Sequence, residues 1–562
     1  MADSEEEYNT NIIHESLGDS TNFWGDYTLG ELILFLIPPF GFLVAMGMPF
    51  VPAALFFPTL ALTAVVEVFL YILHKVRPDH YRLTEWLRVK LFWLVKKKQY
   101  THGQGNQDTR QVTRLERVMP HGIERIDGAY VGAVEVEPAN MSLQDDEKWE
   151  KAVKSLTRLS ESLTGRAKLH VTTAEVDNES HIQAHIDRLD DPDAKSHSIF
   201  RGVLMEFVNR YIDDSGNVET ETELQRKYYI VVWVTDDDIH DLQMNSDSIA
   251  DYLTGIPVIG RLFTRFDSDT LTDAEREEFK AKKLHDRLET VDRAVNNMFR
   301  CRSRSVSPHE LAHLTEDYWA CETRSEREYE EAASVSPVTY SARELIKHGK
   351  GAAAHDAAEG MDTDDVGGTD YEVDETDFVS QLHRPGENHR SLVAPTDIEW
   401  EVDHALIDQE TYTRCFWIET YPEHPTSGML EQLLLDTDLA VDVSIHIDPY
   451  DADTAVSVMK EWISSLKMLQ NDKGELEAED IEQEVNQAKY IRQMVRRNHT
   501  SLFRVGAFIR LTAETEEDLR KQTNRLETLL RDSPSNCGVK RTTRRQEAGL
   551  VTVSPIGANE LG

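Results

Sequence analysis

From Leu32 to Leu73 the only Asp, Glu, Lys, Arg or His is Glu67. A bilayer core needs about 20 apolar residues per helical span, so a run of this length holds two. Pro49 and Pro52 interrupt the run. They place a tight turn near Met48 to Val51 and predict a transmembrane helical hairpin. Pro38 and Pro39 fall inside the first span and should kink it, which membrane helices tolerate where neighbours satisfy the freed carbonyls. A secretory signal does not fit, because the residues in front are acidic (Glu5, Glu6, Glu7) and no short cleavage-like tail follows.

The flanks set the orientation. Lys75, Arg77, Arg82, Arg88, Lys90 and the run Lys96 to Lys98 follow the second span, and such an excess of Lys and Arg assigns that end to the cytoplasm. Two spans return the N-terminus to the same side. In YRLTEWLRVKLFWLVKKK, residues Leu83, Trp86, Leu87, Leu91, Leu94 and Val95 recur at helical spacing with basic residues between them. That is the pattern of an amphipathic helix on the inner membrane surface. The expected location is the cell membrane, multi-pass with two helices, with both termini and the bulk of the chain cytoplasmic. A hairpin buried in a soluble core is the competing reading.

The remaining chain is long enough for further domains with substantial cores. Of the 562 residues 101 are acidic and 60 basic, a formal charge of -41. Phosphates need Lys and Arg to displace their counterions, so this balance disfavours unaided nucleic-acid binding. It fits a salt-adapted, halophilic archaeal chain, whose dense carboxylates keep surfaces hydrated. Cys301, Cys321, Cys415 and Cys537 form no CxxC pair and fit reduced thiols.

Strands at Gly128–Glu137, 167–176 and 227–236 alternate with helices at Lys148–Leu163, Ser198–Ile212 and Leu284–Phe299. The stretch after Gly349, rich in Gly, Ala and Asp, cannot bury enough surface to offset its ordering entropy and reads as a flexible tether. Beyond it strands at Thr411–Tyr421, 441–448 and Leu502–Thr512 alternate with helices at Gly428–Leu435, Ala452–Leu469, Ala478–Asn498 and Glu516–Arg531, with a short strand near Val539. The predicted fold class is mixed α/β: an N-terminal transmembrane hairpin followed by two mixed α/β lobes. The expected boundaries are an acidic tail at 1–26, hairpin plus interfacial helix at 27–100, first lobe at 101–333, acidic linker at 334–390 and second lobe at 391–562. The second lobe repeats the rhythm of the first at its start, with no residue-level repeat.

Several motifs invite chemistry. HELAH (His309 to His313) matches H-E-x-x-H, in which two histidines one turn apart hold zinc and the glutamate acts as base. Yet Ser307, Pro308 and Glu310 form a capping box, which gives the glutamate a structural role. Cys301 and Cys321 flank the pair and could complete a structural zinc site. Around Lys350 the sequence has a phosphate-loop flavour, but G-x-x-x-x-G-K-[ST] occurs nowhere in the chain. KRTTRRQ (Lys540 to Gln546) is the main basic patch outside the membrane flank, either a solvated turn or a contact for an acidic partner or nucleic acid. In DVSIHIDPYD (Asp442 to Asp451), Val443, Ile445 and Ile447 alternate with Ser444, His446 and Asp448. That is a half-buried strand, read as a sheet edge with a polar face, ended by Pro449 and followed by Asp451 as a helix cap. No catalytic, cofactor-binding or metal residue is assigned, and no cofactor is expected.

The run from Ala394 to Glu461, with its strand, Tyr421–Pro422, helix and DVSIHI-P order, resembles the N-terminal region of the VirB/TraC-type conjugation ATPases of type IV secretion systems. FRVGAFIRLTAETEEDLRKQTNRLETLL and the terminal SPIG continue the likeness. RIDGAYVGAVEVE, KYYIVVWV and SPHELAHL extend it to the first lobe, and YTLGELILFLIPPFGF through HYRLTEWL resembles a PrgI-like membrane component of the same machines. The resemblance implies a membrane-anchored subunit of a DNA transfer machine. Its expected partners are a separately encoded HerA/TraC-like P-loop ATPase, other membrane subunits, membrane lipids and further copies of itself, with DNA touched only indirectly. The family's ATPases continue into a P-loop motor domain that this sequence lacks, so nucleotide hydrolysis is not carried over. A membrane zinc hydrolase built on His309, Glu310 and His313, and a membrane-tethered DNA-binding module, are the alternatives.

Overall fold

The computed structural model describes residues 29–47, 56–77, 83–103, 107–139, 146–163, 165–175, 188, 195, 198–209, 224–238, 273–320, 388–422, 428–435, 439–450, 452–472, 475–497 and 502–561. Three helices lead, α1 (Leu29–Gly47), α2 (Phe56–Val76) and α3 (Leu83–Val95), followed by β1 (Gln99–Thr101) and α4 (Thr109–Val112). A first half comprises β2 (Leu115–Met119), β3 (Gly122–Arg125), β4 (Tyr130–Glu137), α5 (Asp146–Ser162), β5 (Ala167–Glu175), α6 (Ser198–Asn209), β6 (Leu224–Val234), α7 (Asp273–Asn296), β7 (Arg302–Ser305) and α8 (Pro308–Ala320). A second half comprises α9 (Asn388–Val393), β8 (Asp397–Trp400), β9 (Ala405–Ile407), β10 (Thr411–Thr420), α10 (Glu431–Leu435), β11 (Val441–Pro449), α11 (Ala452–Asp472), α12 (Glu475–Arg496), β12 (Phe503–Ala513), α13 (Glu516–Arg531), β13 (Gly538–Arg541) and α14 (Gln546–Val553).

All the described strands join one antiparallel sheet in the order β1-β8-β9-β10-β12-β11-β5-β6-β4-β3-β2, with β13 on β10 and β7 on β4. From the middle outward the two halves have the same order, β5-β6-β4-β3-β2 and β11-β12-β10-β9-β8. Even the closing contacts match: Val306 N donates to Ala133 O (3.1 Å) after β7, and Thr542 N donates to Cys415 O (3.0 Å) after β13. The chain folds the same unit twice. The halves meet where β5 pairs with β11, Val171 opposite Val443 and His170 opposite Ser444. A duplicated topology without a residue repeat is physically reasonable, because strand alternation and connection length fix the order while side-chain identity is free.

β11 is therefore not a sheet edge, as its alternation suggested. It lies between β12 and β5, and its polar residues Asp442, Ser444 and His446 are buried. The period-two pattern was correct, but what covers the polar face comes from far along the chain. Alternate residues along β6 show the two layers. Tyr229, Val231 and Trp233 join a core beneath α8 and α14, while Ile230, Val232 and Val234 face α7. In the second half the α7-side face continues as a core of β10 to β12 against α10 and α13. Helices α11 and α12 form a separate hairpin with its own core of Met459, Trp462, Val485 and Ile491.

At the front, Glu31 in the first turn of α1 is buried and paired with Arg77 just past α2, and it accepts a hydrogen bond from Leu83 N (2.8 Å). At the other end the Phe42 ring meets Phe56 with centroids 5.5 Å apart, so the two helices run antiparallel. Among the described residues only α2 is long and apolar enough to cross a bilayer by length and composition; the apolar part of α1 is Ile33–Val44. The expected turn at Met48 to Val51, the tether and the Asp451 cap lie outside the described residues. The single amphipathic stripe read for α3 is divided: Leu83, Trp86 and Trp93 are buried, whereas Leu91, Phe92, Leu94 and Val95 are exposed.

The shared sheet generates a prediction. Residues 391–562 made alone expose the β11 edge and lose the first-half side chains packed on it, so they should aggregate and show no cooperative melt by circular dichroism. Co-expression with residues 101–333 should restore a soluble complex. A monomeric, cooperatively melting 391–562 fragment would contradict the single-sheet account.

Candidate functional site

The polar faces of β5 and β11 meet under the end of α14. A helix leaves its last four carbonyls without intrahelical partners, and here α8 and the sheet supply donors. Tyr318 OH donates to Leu550 O (2.8 Å), His446 Nε2 to Thr552 O (2.9 Å) and Ser444 Oγ to Val553 O (2.7 Å). Just beyond the helix, Lys168 Nζ donates to Ser554 O and to Gly557 O (2.9 Å), and Arg125 Nη1 to Ile556 O (3.2 Å). Two basic side chains, Lys168 and Arg125, thus sit at the negative end of a helix. Lys168 is wholly buried, and that burial, reinforced by Arg125, holds its amine well below the ordinary lysine range.

Beside this seam Arg510 Nε donates to Asp442 Oδ2 (2.6 Å), Thr172 Oγ1 donates to Asp442 Oδ1 (2.5 Å), and the Arg510 guanidinium lies 3.7 Å from the Tyr318 ring centre. Removing one partner of a buried ion pair of this kind typically costs about 3–5 kcal/mol. The seam therefore binds α8, both strands and the segment after α14 into one unit.

Ser444 and His170 lie 2.9 Å apart, which invites comparison with a nucleophile and its base. The proton positions oppose that reading. Val553 O can only accept, so the Ser444 hydroxyl donates there, and His170 Nδ1 must then donate to Ser444 Oγ. Burial lowers His170 to about 3. Its bare nitrogen, Nε2, points away from the serine and has no hydrogen-bond partner among the described residues. The pair is a structural relay, with no base poised to activate the hydroxyl.

The sequence motifs fall as follows. Ser307 N donates to Glu310 Oε2 (3.0 Å) and Glu310 N to Ser307 Oγ (3.1 Å), so the capping box forms. Burial would raise the Glu310 carboxyl, but Arg304 at 2.6 Å and the Ser307 main chain outweigh it and hold the carboxyl low. His309 faces His389 of α9, ring centroids 5.1 Å apart, while His313 lies 3.5 Å from Asp317. Each of the three zinc candidates thus has another neighbour. No group of three or more His, Cys, Asp or Glu among the described residues is arranged to hold a metal ion. Cys415 and Cys537 are buried free thiols, their pKa pushed up by burial, and Cys301 is half-buried and free; Cys321 and Lys350 lie outside the described residues.

Three of the four basic side chains of the cluster are engaged internally. Lys540 pairs with Glu419 (3.5 Å), Arg541 with Glu527 (2.8 Å) and Arg545 with Glu85 of α3 (3.4 Å). Glu547 of α14 pairs with Lys96, just past α3. The front helices and the seam are thereby coupled through one helix. At the end of the seam a cavity of about 430 Å³ is lined by Arg125, Asp127, Trp233, His446, Asp448 and Arg504, among others. Arg125 pairs there with Asp127, and Arg504 with Asp448 at 2.9 Å. Sequence reasoning missed Lys168, His170, Arg510 and Tyr318. The available signal was that Lys168, His170 and Thr172 alternate on one face of β5 as Asp442, Ser444 and His446 do on β11.

Three histidines carry a pH dependence. Burial, with nearby cations second, lowers His446 to about 3; burial lowers His170 to about 3; burial, then His309, lowers His389 to about 4. Their folded values lie below the unfolded value of about 6.5, so the unfolded chain binds more protons between those limits. The stability they contribute is complete above about pH 6.5 and is lost as pH falls towards 4 and 3. The melting temperature should fall on acidification below pH 6.5, and His446→Gln should flatten that slope. An unchanged slope would contradict the burial of a neutral His446.

Three family models match the chain in order: PrgI-like domain at 22–101, archaeal TraC-like domain at 116–321, and the CagE, TrbE, VirB family, component of type IV transporter system, at 386–538. No curated protein matches it. The first match covers α1 to α3, the second the first sheet half, and the third the second half as far as the start of β13. Residues 539–562, which close the seam, lie beyond the last match. The chain is a VirB/TraC-type protein of the conjugation ATPase family with a PrgI-like N-terminal region.

Proposed function

We propose that the chain is a membrane-anchored, non-catalytic subunit of a conjugation-like type IV secretion machine, which docks a separately encoded HerA/TraC-like P-loop ATPase. The observation that carries this reading is that the PrgI-like, TraC-like and CagE, TrbE, VirB matches share one sequence in which G-x-x-x-x-G-K-[ST] does not occur. Such a loop is the backbone cradle that holds the phosphates of ATP in motors of this kind. In this reading α1 and α2 both span the membrane, the termini are cytoplasmic, and other copies and membrane subunits gather around the hairpin. Pairing of Glu31 with Arg77 supports the hairpin, because it brings the start of α1 to the end of α2.

The second half carries the motor contact. Helices α11 and α12 pack on each other and leave Met468 exposed at 71% and Tyr490 at 37%. Apolar contact suits a chain of charge -41, because exposed ion pairs fade in salt, where screening lengths fall to about 3 Å at 1 M.

Capture of a neighbouring HerA/TraC-like ATPase by the full chain should survive high salt, and Met468→Asp should weaken it at least tenfold. The full chain alone should release no phosphate from ATP. Hydrolysis by the chain without a partner, or capture that is abolished by salt and untouched by Met468→Asp, would contradict the reading. Labelling of Ser4→Cys and Thr101→Cys from opposite faces of the membrane would contradict the two-span topology.

A further inference from the structure

We propose that the outward face of α3 is a lipid-binding surface that seats the sheet in the headgroup layer of an anionic bilayer. This rests on the membrane-anchored reading above and adds the partner of a second, interfacial contact. Leu91, Phe92, Leu94 and Val95 crowd the last turn of α3 and are 63, 67, 79 and 87% exposed. The opposite face is already occupied: Leu83 and Trp86 are buried, and Trp93 belongs to the core beneath α8 and α14. Val68, Phe69, Ile72 and Val76 of α2, which precedes α3 in the chain, are exposed as well.

Charge selects the occupant. Arg88 and Lys97 are exposed and carry no ion pair among the described residues. Arg88 lies at helical spacing from Leu91 and Phe92 on the exposed face, and Lys97 follows the apolar turn directly, whereas Lys90 (3.6 Å from the Trp86 ring centre) and Lys98 (5.5 Å from that of Trp93) lean on the rings of the inner face. A basic ridge next to an apolar one, on a chain of charge -41, matches a surface that is apolar below and anionic above, as a bilayer with acidic headgroups is. A second copy of the same ridge would meet like charges. Because Glu85 and Lys96 tie α3 to Arg545 and Glu547, lipid seated here fixes the tilt of the sheet relative to the membrane.

The test uses the full chain in nanodiscs of phosphatidylcholine, alone or with phosphatidylglycerol. A nitroxide is placed on Leu94→Cys in a Cys301→Ser, Cys321→Ser background. The nitroxide should be reached by oxygen several-fold better than by a water-soluble nickel relaxant. Trypsin cleavage after Lys97 should be about tenfold slower with phosphatidylglycerol present, and Arg88→Gln with Lys90→Gln should narrow that difference. A nitroxide reached equally by nickel, or equal cleavage in both lipids, overturns the proposal. Carbonate washing of cell membranes separates the causes. Retention of the chain alongside a water-exposed nitroxide overturns the α3 surface alone, whereas release of the chain overturns the membrane reading and this proposal with it.

Discussion

The carbonyls at the end of α14 are the point on which the rest of the structure depends. They need donors, and the donors come from β5, β11, β3 and α8, elements drawn from both halves of the chain. Hydrogen bonds to charged groups contribute about 1.5–3 kcal/mol each, and an orphaned buried group costs about as much. Apolar burial on the opposite face supplies comparable energy per side chain, about 1.5–3 kcal/mol, but it is indifferent to register. The polar seam is not. A slip of one residue between β5 and β11 would turn the polar residues of one strand, Lys168 and His170 or Asp442 and Ser444, to the side of the apolar core beneath α7 and α13. Burial therefore makes the sheet, and the seam decides how its halves are joined.

From that join follows a continuous mechanical path. Helix α14 is tied to α3 through Glu547 and Lys96 and through Arg545 and Glu85; α3 is tied to α1 and α2 through Glu31 and Arg77. The contacts thus run without a break from the front helices to the join of the two sheet halves. The Ser444–His170 pair lacks the proton arrangement of a nucleophile and its base, since Ser444 donates to the Val553 carbonyl and His170 donates to Ser444 Oγ.

Much of the fold was legible from local pattern. Apolar strand patterns located β4, β5, β6, β10, β11 and β12, with β6 a continuous apolar run because both its faces are covered, and helical stripes located α7, α11 and α13, because these helices bury one face. The short strands β2, β3, β7, β8 and β9 were not legible, since three to five residues carry too little periodicity. The seam was half legible. His446 and Asp442 stood out, but their cover is α14 and the chain after it, about a hundred residues further on, and no local rule reports such a contact. Trp93 was overlooked for a similar reason: α3 has one apolar face packed on the core and another that is exposed, and one stripe cannot describe both.

Hydrogen–deuterium exchange on the full chain and on Gly557→Ala tests the join most directly. A Cβ at position 557 would overlap the Val551 carbonyl, so the substitution must lift the segment after α14 away from Lys168 and Ser444. The account predicts that the amides of Leu169, Val171, Val443 and Ile445 are strongly protected in the native chain and that the variant loses protection at both β5 and β11. Loss confined to residues 550–561, with β5 and β11 unchanged, would contradict the claim that this segment holds the two halves together.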